Sequence, residues 1–93
     1  SIDFLFRVLI SSNAEAPEMT ILISEKNIIS LNNQIISPNE LENKLKKLLN
    51  NKHIDEVLIK ADGNAKSGTL SKVIKIIRNS GIKRAAIVTK NKI

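Results

Sequence analysis

Asp62-Gly63-Asn64-Ala65-Lys66-Ser67-Gly68 sets two glycines, a lysine and a hydroxyl between an apolar β-rich run and a helical repeat. That is where a phosphate loop would cradle an anion on its backbone amides. The order is wrong for it: G-x-x-x-x-G-K-[ST] needs the lysine and hydroxyl after the second glycine, and here Lys66 and Ser67 precede Gly68. The segment reads as an ordinary strand-to-helix loop. Asp55 and Glu56 offer no acid/base pair either, because adjacent side chains at a strand start point to opposite faces. His53 is the only imidazole and the chain has no cysteine. Thiol nucleophiles, disulfides and cysteine-based zinc are thereby excluded, and His53 reads as a solvated loop residue. No two titratable groups are brought together by local spacing, so the expectation is a domain that is not an enzyme and takes no metal or cofactor.

Binding chemistry is better represented. The net charge of +6 is regional: residues 1–43 hold two basic and six acidic side chains, residues 44–93 thirteen basic and three acidic. A basic face neutralises phosphates with release of counterions, which makes a cytosolic α+β module binding nucleic acid the alternative reading. Composition opposes it. Lysine outnumbers arginine twelve to three, although arginine reads base edges, and Tyr and Trp are absent. Lys, Asn and Ile make up 39 of the 93 residues, the signature of AT-rich codons, so nucleic acid is not expected as a partner. Lys72, Lys75 and Arg78 recur along one side of a helical segment as candidate contacts to an anionic surface, a pattern that also describes the wet side of any surface helix.

The elements that would position these residues follow from periodicity. Phe4, Phe6, Val8 and Ile10 alternate with other residues and give a strand with one apolar face. Residues 11–18, rich in small and polar residues with Pro17, read as a linker, so residues 1–18 form an arm and 19–93 the domain proper. Thr20–Ser24, Ile28–Leu31 and Gln34–Ile36 form a meander whose Asn32-Asn33 step favours a tight turn. Ser37-Pro38-Asn39-Glu40 is a capping box with proline at the first helical position. The helix it opens places Leu41, Leu45, Leu48 and Leu49 on one face and stops at Asn50-Asn51. Glu56–Ala61 reads as a strand inside the sheet. Leu70, Val73, Ile74 and Ile77 then mark a second amphipathic helix closed by Gly81, and Ala85–Thr89 a last strand parallel to 56–61. The expected fold is α+β, a small mixed sheet with two amphipathic helices packed on one face, in the order β, β-meander, α, β, α, β. Its expected core is Leu41, Leu45, Leu48, Val73, Ile74, Ile77, Leu58 or Ile59, and Ile87 or Val88.

Four segments in this order resemble the periplasmic domain of the ExbD/TolR family of proton-driven inner-membrane motors. They are Thr20-Ile21-Leu22-Ile23 with Ile29-Ser30-Leu31-Asn32-Asn33, then Ile36-Ser37-Pro38-Asn39-Glu40-Leu41, then Val57-Leu58-Ile59-Lys60-Ala61-Asp62, and last Val73-Ile74 through Ser80-Gly81-Ile82 to Ala86-Ile87-Val88-Thr89. Ser67 stands where the family often has an aromatic, and Val8-Leu9-Ile10-Ser11 lacks the proline of the similar family stretch. The resemblance implies a single-pass inner-membrane protein with this domain in the periplasm. It further implies an ExbB/TolQ-like membrane subunit met through an upstream helix and a TonB/TolA-like transducer or peptidoglycan as partner. The start at Ser1 is consistent with the expectation of such an upstream segment. Homodimerisation is expected through the strand of Phe4, Phe6, Val8 and Ile10, or alternatively through Ala86, Ile87, Val88 and Thr89.

Overall fold

A computed structural model describes residues 7–10 and 19–90. Capping explains where its helices begin and end. Helix α1, Pro38–Asn51, opens on the reciprocal bonds expected of a capping box. The Glu40 N–H donates to Ser37 Oγ at 3.2 Å, and the Ser37 N–H donates to Glu40 Oε1 at 3.1 Å. Helix α2, Ser67–Asn79, has Lys66 at its N-cap with no side-chain cap bond. Past its C-cap Ser80 comes Gly81 at φ +100°, the left-handed conformation for which a glycine was expected. Ile82 folds back from there and is buried.

Strands β1 (Arg7–Ile10), β2 (Thr20–Ile23), β3 (Ile29–Leu31), β4 (Gln34–Ile35), β5 (Glu56–Asp62) and β6 (Arg84–Lys90) form one six-stranded sheet in the order β1-β6-β5-β2-β3-β4. β2, β5, β6 and β1 run parallel, with β5 paired to β6 from Glu56↔Arg84 to Asp62↔Lys90. The meander of β2, β3 and β4 is antiparallel. Asn32 and Asn33, at φ 47° and 73°, make its two-residue turn, since two positive φ angles match the right-handed twist of the strands they join. Asn32 also ties that turn to β2: its Oδ1 accepts from the Thr20 N–H, and its own N–H donates to the Thr20 carbonyl.

Both helices pack on one face of the sheet, as their apolar stripes require. Leu41 and Leu45 of α1 and Val73, Ile76 and Ile77 of α2 share a cluster with alternate strand residues Ile21, Ile23, Ile29, Leu31, Val57, Ile59, Ala61, Ala85 and Ile87. The expected core omits Met19 and the meander residues Ile21, Ile23, Ile29 and Leu31, which are buried, and it differs on the helices. Ile76 is buried, whereas Ile74, Leu48 and Leu70 are half-buried at its margin. Contact between α1 and α2 turns α2 so that Val73, Ile76 and Ile77 face inward. Leu58 and Ile59, on opposite faces of β5, are both buried, so the alternative between them dissolves. No helix among the described residues is long and apolar enough to cross a membrane.

Candidate functional site

Two of the residues singled out for chemistry do meet, against the expectation that local spacing brings no titratable groups together, because His53 and Asp55 lie two positions apart in the loop before β5. His53 Nε2 lies 2.7 Å from Asp55 Oδ1, with both side chains largely in solvent. Arg84 Nε is 3.9 Å from Glu56 Oε1, its cross-strand neighbour, while Asp62 Oδ1 accepts from the Asn64 N–H in a local turn. Among the described residues no three His, Cys, Asp or Glu side chains come close enough to hold a metal ion. The loop from Asp62 to Gly68 is a turn plus a helix start: the Ala65 N–H donates to the Asp62 carbonyl and the Thr69 N–H to the Lys66 carbonyl. One feature of it escaped the sequence reading. Asn27, at φ 64° in the turn between β2 and β3, accepts from the Lys66 N–H at 2.8 Å, tethering that turn to the start of α2. The signal was an asparagine in a turn, a residue tolerant of the left-handed region, but its partner 39 positions away was not local.

What the fold does bring together are sheet edges, apolar side chains and lysines. β1 forms one edge. It lies parallel on β6 with Arg7↔Arg84, Val8↔Ala85, Leu9↔Ala86 and Ile10↔Ile87 in register. Val8 and Ile10 of the candidate arm therefore sit on this edge strand, while Phe4, Phe6 and the expected linker lie outside the described residues. Of Ala86, Ile87, Val88 and Thr89, the alternative pairing strand, Ala86 and Ile87 are in register with both β1 and β5, and Val88 and Thr89 with β5. Along β6, Ala86 and Ile87 are buried, Val88 is half-buried and Thr89 is exposed.

β4 forms the opposite edge, only two residues long. Beside it a groove runs past Asn27, Ile28, Ile35, Ile36 and Pro38 to the N-terminal ends of both helices, with Lys66 and Lys72 on its wall. Of the three basic residues foreseen on α2, Lys72 faces this groove; Lys75 and Arg78 are exposed farther along the helix. The electrostatics here are lysine-dominated. The Glu40 carboxyl is held below the usual carboxylate range first by hydrogen bonding to the Ser37 side chain and second by the Ser37 backbone N–H. The arrangement offers backbone hydrogen bonding at two edges, apolar area and positive charge, which are the means of binding another chain. No curated protein matches this sequence. A family model described as biopolymer transport protein ExbD/TolR matches residues 10–92.

Proposed function

The chain belongs to the ExbD/TolR family of biopolymer transport proteins, and from that membership we propose that it is the periplasmic, partner-binding domain of an inner-membrane motor subunit. The family serves biopolymer-transport and Tol-Pal energy-transducing systems, is typically associated with the inner membrane, and works with ExbB/TolQ and TonB/TolA partners. In the proposal this domain dimerises and meets a TonB/TolA-like transducer, or peptidoglycan, on its exposed surface. It acts by binding and carries out no chemical transformation.

The observation that carries the dimer is the placement of β1. It pairs with β6 at the outer edge of the sheet, and residues 11–18 of the sequence separate it from β2. The same parallel register on β6 is offered to the β1 of a second copy, and exchange of a terminal strand is a low-cost route to a two-fold dimer. An arm carrying Phe4, Phe6, Val8 and Ile10 at period two brings an apolar face to that exchange. Light scattering at micromolar concentration, on the chain with and without residues 1–18, tests it. The expected result is a dimer that becomes a monomer on truncation. A strictly monomeric full chain removes the dimer from the proposal, and a truncated chain that dimerises equally well removes the arm and leaves the uncovered β6.

A further inference from the structure

The three large apolar side chains left exposed among the described residues, Leu22, Ile28 and Ile35, all line one groove. Leu22 is opposite Ser30, and Ser30 is opposite Ile35, so this row crosses β2, β3 and β4 on the face away from the helices. It ends at the open edge, where Ile35 is 78% exposed. The backbone there is open as well. The Ile36 N–H donates to the Ile29 carbonyl at 2.9 Å. By antiparallel alternation the neighbouring pair Ser30/Ile35 is not hydrogen-bonded, so the N–H and C=O of Ile35 point away from β3.

Charge decides what fits. Ile35 borders three grooves: Lys60 lies in the first, Lys44 and Lys47 in the second, Lys66 and Lys72 in the third. None of these five lysines has an ion-pair partner among the described residues. The only carboxylates in the three grooves, Glu40 and Asp62, each already accept a backbone N–H of their own chain. A second copy pairing β4 against β4 would set lysines against lysines, which costs binding energy. We propose that this edge docks an extended acidic segment of a partner polypeptide, with apolar side chains at alternate positions on the Leu22–Ile35 row and carboxylates among the lysines. The backbone of Ile35 sets the segment's register, and since β4 is too short for a long ladder, side-chain burial and charge carry most of the affinity. The proposal deepens the partner-binding reading above and rests on it; the test needs no dimer, so it fails or stands separately from the arm.

The experiment titrates the isotope-labelled 93-residue chain with two synthetic peptides of about ten residues, one alternating valine and glutamate, the other valine and lysine, followed by backbone amide NMR. The glutamate peptide is expected to shift the amides of Leu22, Ile28 and Ile35 saturably, and to weaken several-fold between about 50 and about 500 mM salt. Ile35→Asp is expected to abolish binding, and Ile35→Thr, which keeps a β-branched side chain in the strand, to weaken it about tenfold. K44E/K47E is expected to reduce affinity for the glutamate peptide and to flatten its salt dependence. Equal binding of both peptides, shifts confined to other elements, or no shift at millimolar peptide overturns the proposal. So does a peptide-free dilution series that moves the same amides, because the occupant is then a second copy.

Discussion

Ser37 and Glu40 satisfy two of the amides that the first turn of α1 leaves without helical partners. Ser37→Ala removes one acceptor and is expected to cost about 1 kcal/mol, read as a lowered urea midpoint at unchanged slope. Glu40 adds a pH dependence whose sign is fixed by its lowered pKa. The unfolded chain binds this proton more readily than the folded one, so the contribution is present above the unfolded carboxylate pKa and is lost as pH falls through the folded value. Denaturation of the native chain and Glu40→Gln at about pH 7 and about pH 3 should show a stability gap at neutral pH that narrows in acid. Gly81 and Asn27 act at the same scale, each holding a positive φ that ends one element and aims the next.

At the scale of elements, each helix is held by the stripe it turns inward. Leu45 is fully buried in the centre of α1's stripe among strand residues of the same cluster. Leu45→Ala removes that volume from a close-packed layer and is expected to cost roughly 2–5 kcal/mol, measured by chemical denaturation. A midpoint that does not move would take α1 out of the core. The shift of α2 toward Ile76 belongs to this scale too. A helix shared between a sheet and a neighbouring helix buries a wider arc than one lying on a sheet alone, and its best-buried residue is set by both contacts.

Across the whole molecule, stability is graded by position in the sheet. β5 is paired on both sides and its Val57, Leu58 and Ile59 are fully buried, whereas β4 is a two-residue edge with exposed side chains. Native-state hydrogen exchange should therefore find the β5 amides opening only with global unfolding and those of β3 and β4 exchanging through local opening. Uniform protection across the sheet would contradict this gradient. The grading suits a domain proposed to bind through its margins: the elements that exchange partners are those whose opening leaves the core intact.

Elements whose cause is local were legible in the residues. The capping box, the Asn32-Asn33 turn, the Gly81 stop and the two leucine- and isoleucine-rich stripes each depend on neighbours within about four positions, as helix and turn physics does. The parallel pairing of β5 with β6 was equally foreseeable, because a crossover helix permits little else. The order of strands was not. That β1 lies on β6, that Leu58 is buried as well as Ile59 on the opposite face, and that Ile28, Leu22 and Ile35 gather toward one edge are outcomes of register between segments up to about 80 residues apart. Pairing energies between such segments depend on which edges the rest of the chain leaves open. The residues alone determined which segments form strands and helices and what charge they carry. The tertiary structure decided which edges remain open and what surrounds them, because an edge exists only once every other strand has found its neighbour.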